Sequence, residues 1–147
     1  MIKEFQGEYR WLSNFWEFET PMKYQGLTFI TNEHFYVAMK TKDLSIRKQV
    51  SEHPLNGLKK FGNSFPLRED WNDIKVEVML HGLKYKFSEY NPTLRQKLLD
   101  TGKKIIQEGN YWNDKFWGVC LKTDEGKNTL GCLLMEVRGE LANESLN

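Results

Sequence analysis

Hydrophobic and polar positions change period several times along the chain, and each change predicts an element. Residues 1–30 hold no sustained period and read as irregular structure with short strands. Within them, Met22-Lys23-Tyr24-Gln25-Gly26-Leu27-Thr28-Phe29 alternates about a Gln-Gly pair, a hairpin signal. Thr31 or Asn32 can then N-cap a helix reaching Lys40, with Glu33 in its first turn, where a carboxylate complements the helix dipole. Short helical patterns follow at Leu44–Glu52 and Leu55–Phe61, with Pro54 marking a break and Gly62 a stop. The longest helix is predicted from near Asp70 to about Ser88. Trp71, Ile74, Val78 and Tyr85 line one side of it, and Leu80, Leu83 and Phe87 widen the apolar surface. Asn91-Pro92 opens a further helix that stops near Thr101-Gly102, and Lys103–Gln107 carries another short helical pattern. Beyond a loop over 109–118, Phe116–Leu121 and Thr129–Val137 read as strands around the polar stretch Thr123–Asn128. The sum is an α+β, predominantly helical chain with a small antiparallel sheet. The regular strand–helix alternation of a doubly wound parallel sheet is missing.

The 147 residues suit one domain, with residues 138–147 as a weakly ordered or helical tail; repeats, low-complexity tracts and linkers are not found. Lys and Arg number 21 against 20 acids, a balance that argues against a protein working mainly by coating nucleic acid or anionic membrane. No apolar stretch approaches the ~20 residues of a membrane span, and the first residues lack the apolar region of a secretory signal. The expectation is a cytoplasmic monomer that makes no membrane contact. Cys120 and Cys132 form no metal spacing and read as buried inert thiols in apolar strands, and His34, His53 and His81 share no ligand spacing. No metal and no cofactor is expected.

Aromatics make up 14% of the chain, and many stand beside charged or amide residues rather than in clean apolar periods. Such neighbours suit a pocket that stacks a planar ligand and hydrogen-bonds its edge, although aromatic rings also fill cores. Three constellations could carry chemistry. Glu33, Tyr36 and Lys40 fall on one helix face and could supply a base, a hydrogen-bond donor and a phosphate anchor; spacing alone favours an ordinary solvated face. Glu108 through Gly118 gathers two acids, Glu108 and Asp114, with Trp112, Trp117 and two glycines. That composition fits a functional loop or an aromatic plug closing the core. Tyr9 through Phe15 offers Ser13 and Asn14 to a ligand edge, with Trp11 or Phe15 to stack, or a turn with a core anchor. A nucleophile-elbow signature for Ser-His-Asp hydrolysis and a Gly-rich phosphate loop are both absent.

Several ordered motifs resemble one known family. Leu12-Ser13-Asn14-Phe15 and Thr31 through Lys40 look like its N-terminal motifs, and Pro66 through Trp71 and Leu98 through Thr101 like its middle. Asn113 through Gly118 and Asn128 through Arg138 resemble its C-terminal half. The string is similar, from about Phe5 to Arg138, to the YbiA-like or NADAR family, named for NAD and ADP-ribose. The resemblance implies a compact, mainly helical YbiA-like fold and a metal-independent N-glycosidase. It would cleave ribose C1′ from a nitrogen, either in ADP-ribosylated guanine of nucleic acid or in a small phosphorylated substrate, a ribosylamino-pyrimidinone phosphate of the early riboflavin pathway. The competing class is a module that binds ADP-ribose or a nucleotide without hydrolysing it. Carried over by motif, the acids are Glu33, Asp114 and Glu108. Asn14, Phe15, Tyr36, Lys40, Trp112 and Trp117 would bind substrate. The family often has Gly-Arg where this chain has Gly62-Asn63, so Arg68, Arg10 or Arg47 would have to replace that arginine as a phosphate anchor.

Overall fold

The computed structural model describes the backbone of residues 1–146 and the side chains of residues 1–144. The chain divides into two compact units, one of residues 14–86 and one of residues 1–13 with 87–147.

In the unit of residues 14–86, β1 (Glu17–Tyr24) and β2 (Leu27–Thr31) form an antiparallel hairpin in which Tyr24 faces Leu27. Gln25 and Gly26 both have positive φ, 48° and 79°, the twist a two-residue hairpin turn requires. A bulge in β1 shifts the register between Glu17 and Met22. The hairpin runs straight into α1 (Asn32–Ala38), whose N-cap is Thr31: its hydroxyl accepts from the His34 amide at 3.1 Å. Asp43 caps α2 (Leu44–Glu52) by accepting from the Ser45 and Ile46 amides at 2.8 and 3.1 Å. The third pattern forms later than its sequence suggests, as α3 (Leu58–Gly62), because Gly57 takes a left-handed φ of 81° and starts it. Then comes α4 (Trp71–Lys86), 16 residues and thus about 24 Å long.

The buried face of α4 is Trp71, Met79, Gly82, Leu83 and Lys86; Ile74, Val78 and Tyr85 sit half-buried beside it. The Tyr85 ring packs edge-on to Phe18 at 5.1 Å while its hydroxyl donates to the Thr20 carbonyl at 2.7 Å, tying α4 to β1. Phe35 joins α1 to the hairpin through ring contacts with Phe29 at 5.9 Å and Tyr24 at 5.4 Å.

The other unit starts with a 3-10 helix, Gly7–Leu12, that buries Trp11 and Leu12; Trp11 meets the Phe87 ring edge-on at 6.2 Å. Its long elements are α5 (Pro92–Asp100), with proline at the start where no amide is needed, and α6 (Thr129–Leu146). Arg138 on α6 donates to Thr101 at the end of α5 at 2.9 Å.

Three expectations from periodicity fail in this unit. Thr129–Val137 is helix, not strand: Leu130, Leu133, Leu134, Val137 and Leu141 are buried at helical spacing. Leu and Met, good helix formers, fill the run that its continuous apolarity disguised as a strand. Phe116–Leu121 yields only β4 (Val119–Cys120), paired in parallel with β3 (Gly109–Asn110). Lys103–Gln107 is not helical: a turn through Lys103, closed by the Lys104 amide on the Thr101 carbonyl at 3.2 Å, leads into an extended stretch. Gly102, at φ 65°, ends α5, and Ile106 bridges to Ile2, with the Ile2 amide donating to Ile105 at 2.8 Å and the Gln107 amide to Ile2 at 2.9 Å. Cys120 is buried on β4, but Cys132 is exposed on α6, so only one of the two thiols lies in a strand. Among the described residues, no helix is long and apolar enough to cross a membrane, and no group of three or more His, Cys, Asp or Glu is gathered to hold a metal.

Candidate active site

Glu33 sits one residue into α1 because the chain must leave the hairpin and start a helix at that point. Its amide donates to the Asn14 carbonyl at 3.1 Å. The residues around it are locked in the same way. Asn32, fully buried, donates to Asn14 Oδ1 at 3.0 Å and towards the Met79 sulfur at 3.5 Å. Asn14 donates in turn to that sulfur at 3.4 Å. His34, also fully buried, spans from the Thr31 hydroxyl at 2.7 Å to the His53 carbonyl at 2.8 Å. The carbonyl can only accept, so Nε2 carries the proton and Nδ1 accepts from Thr31.

The solvated-face reading of Glu33, Tyr36 and Lys40 is thereby overturned. Glu33 is 8% exposed, Tyr36 9%, and Lys40 half-buried. Among the described residues, no donor bonds the Glu33 carboxylate and no cation pairs with it within 4 Å. Burial pushes its pKa above the usual carboxylate range, and the positive charges of Lys59 and then Lys40 pull it partly back. Burial lowers the pKa of Lys40, opposed by Glu33 and reinforced by Lys59. Lys40 holds its ammonium 5.7 Å from the centre of the Tyr36 ring, which itself packs on Trp71 at 5.0 Å. A Cβ on Gly62 would come within 2.9 Å of Val37 and 3.7 Å of the Lys40 ammonium, so α3 approaches α1 closely here. One buried open carboxylate with two neighbouring ammonium charges is the arrangement α1 and α3 build.

Arg68 is engaged elsewhere. It forks onto Asp70, Nε to Oδ1 at 2.6 Å and Nη2 to Oδ2 at 3.1 Å, and its amide donates to the Lys40 carbonyl at 2.8 Å. Arg47 is buried, with Nε on the Thr41 carbonyl at 2.8 Å and Nη1 on Gln25 at 2.9 Å. Phe15 lies 47% exposed at the start of the same unit.

The remaining candidates belong to the other unit. There the buried Asn110 side chain organises the loop: it donates to Glu108 Oε2 at 3.1 Å and to the Asp114 carbonyl at 2.9 Å, and accepts from the Asp114 amide at 3.1 Å. Asp114 Oδ1 accepts from the Phe116 and Trp117 amides at 3.1 and 3.0 Å, an Asx turn that sets the ring of Trp117 edge-on to Phe116 at 4.8 Å. Oδ2 is the oxygen of Asp114 left for other work. Glu108 is held from behind by Asn128, whose Oδ1 accepts its amide at 2.9 Å. A Cβ on Gly118 would overlap the Glu108 carboxylate, so only glycine passes this point. Trp112 stands 60% exposed on the loop, and Arg10 is exposed on the 3-10 helix.

Sequence reasoning missed Lys59, one lysine among many with no local signal, and Asn110, whose four-residue spacing to Asp114 is too ordinary to signal a clamp.

Residues 2–142 match the NADAR domain family. The chain belongs to that family. The N-glycosidase YbiA of Shigella boydii is 38% identical over 127 residues, covering 84% of this chain and 78% of the relative. The riboflavin biosynthesis protein PYRR of Arabidopsis thaliana is 46% identical over 79 residues, 54% of this chain and 13% of its own length. Among solved structures, the NMR structure of E. coli YbiA superposes with a TM-score of 0.83 at 34% identity, covering all of this chain and 90% of that one. The helical NADAR fold with its small antiparallel sheet is therefore common to this chain and the E. coli protein.

Proposed function

We propose that this NADAR protein hydrolyses the bond between ribose C1′ and a nucleobase nitrogen, and that it removes ADP-ribose from ADP-ribosylated guanine. The N-glycosyl hydrolase class rests on family membership and on relatives named as N-glycosidases. The observation that carries the chemistry is the Glu33 carboxylate, buried and open. As the C1′–N bond breaks, positive charge grows on the ribose, and an anion in a low-dielectric pocket stabilises it far more than it would in water. A raised pKa also makes Glu33 a stronger base. It takes a proton from the attacking water as the oxygen–C1′ bond forms, while the electron pair of the broken bond leaves on the nitrogen. Asp114 is the second acid of the reading and Glu108 the reserve. Lys40, with Lys59 beside it, binds phosphate as point charges, which replaces the expected arginine. Two such charges suit the diphosphate of ADP-ribose.

A phosphorylated ribosylamino-pyrimidine is the second reading, favoured by the riboflavin names of some relatives. Mass spectrometry of products from both substrates in parallel separates the two. Free ADP-ribose with restored guanine is the expected result. Ribose phosphate from the pyrimidine alone would replace the first reading by the second. A nucleotide bound intact for hours would replace both by a binding module.

A further inference from the structure

Phe35 and Met39 leave α1 on the side opposite Glu33, and there they line a groove of about 600 Å³. Its other walls carry the rings of Tyr24 and His81 and the cations Lys42, Arg47 and Arg68; Glu77 is the carboxylate that faces them. Arg47 is the unusual member. A buried guanidinium is normally matched by a carboxylate, yet among the described residues Arg47 has no ion pair. Its Nε and Nη1 are satisfied by neutral oxygens of Thr41 and Gln25. Nη2 has no acceptor among the described residues and is not sealed from solvent. Burial works against the ionised form of Arg47, Tyr24 opposes that effect, and the charge of nearby Arg68 adds to it. Asp70 pairs with Arg68, so with Glu77 the three cations still exceed the carboxylates by one, and among the described residues Arg47 and exposed Lys42 are in no ion pair. The rings adjoin them: His81 lies 5.5 Å from Phe35 at a 35° tilt, and Tyr24 stands edge-on 6.3 Å from His81. His81 is exposed and Tyr24 half-exposed, so both present ring surface to the groove.

We propose that this groove is a second binding site, on the side of α1 opposite Glu33, for a nucleotide unit whose phosphate sits on Arg47 and Lys42 and whose base lies against Tyr24, Phe35 and His81. The volume suits one nucleotide. The proposal stands on the groove's own chemistry and does not need the hydrolytic reading. The nucleotide can come free or as part of a single strand, where sequence-tolerant stacking beside a cation is the usual mode of binding.

Backbone-amide NMR titrations with AMP, adenosine, inorganic phosphate and a short oligothymidylate test it. AMP and phosphate should shift the amides of residues 42–47 and of Arg68 and His81, and these shifts should persist in Glu33→Gln. Adenosine should bind at least about tenfold more weakly, as should AMP to the exposed-site variant Lys42→Glu; losing one charge-assisted contact has this magnitude. Arg47→Gln should weaken AMP further. If it unfolds instead, Lys42→Glu alone decides. Tighter binding of the oligothymidylate than of AMP would identify a strand as the source, and the reverse a free nucleotide. The proposal is overturned if groove amides do not move, if adenosine matches AMP, or if Lys42→Glu leaves the affinity unchanged.

Discussion

Replacing Gly82 by alanine should damage the protein from the far side of α4. A Cβ at position 82 would lie 1.7 Å from Asn32 Oδ1, 2.7 Å from its Cγ and 3.1 Å from its Nδ2. Ordinary contact requires about 3.4 Å, so the Asn32 side chain would have to retreat by well over an ångström. It has nowhere to go: it is fully buried and held by Asn14 at 3.0 Å. The costs are overpacking, about 1–3 kcal/mol, and a weakened buried hydrogen bond, about 1 kcal/mol. Against them stands the helix-propensity gain of Ala over Gly, up to about 1 kcal/mol. The net expectation is about 1–3 kcal/mol of destabilisation, or a fall in Tm of roughly 3–10 °C for a chain of this size. Because Asn32 precedes Glu33 directly, turnover should fall as well. Thermal unfolding followed by circular dichroism reads the first effect. Gly139→Ala, on α6 with nothing within 4 Å of its new Cβ, is the control and should be neutral or slightly stabilising. In an Asn32→Ala background the cost of Gly82→Ala should nearly vanish. A Gly82→Ala protein that melts at the wild-type temperature, or an equal cost in both backgrounds, would refute the reasoning.

Two further outcomes follow from the same accounting. Burial lowers the pKa of His34 below its ordinary 6.5, so the unfolded chain takes up this proton at a higher pH than the native one. Its contribution to stability is complete above about 6.5 and is lost as pH falls from there towards the folded pKa; His34→Gln should flatten that part of a denaturant-unfolding pH series. Asn110→Ala would remove the buried amide that clamps the half-buried Glu108 and Asp114, costing about 1–2 kcal/mol by urea unfolding, with activity reduced more than an equally destabilising substitution elsewhere reduces it.

The elements readable in the sequence are those signalled by local chemistry. The Gln25-Gly26 turn, the Thr31 cap and the Asn91-Pro92 opening each act within a few residues, and each stands where expected. Elements decided by distant partners were not readable. Ile106 is extended because Ile2 pairs with it, which no local period reports. The last helix was hidden by an apolar run too continuous to show which period it follows. The site divides in the same way. The acids and Lys40 were nameable from motif resemblance, but Glu33 in a first helical turn looks like any dipole-matching surface glutamate. Only packing that buries Thr31, Asn32 and His34 around it gives that carboxylate an unusual environment. Lys59 acts on Glu33 across the gap between α3 and α1, which the small Gly62 allows to pack closely.

Glu33→Gln, with release rate and melting temperature measured together at neutral pH, tests the central claim most directly. Because burial raises the folded pKa of Glu33 above 4.5, its contribution to stability is present below that value and is lost as pH rises through the folded pKa. Above that, the buried anion is a standing cost. The neutral amide removes this cost, so the variant should melt no lower than wild type and by trade-off arguments about 3 °C higher. Its release of ribose from the cleaved N-glycoside should be slower by roughly 10²–10⁴-fold. A variant that keeps the wild-type rate would show that the open carboxylate is not the group that performs the reaction.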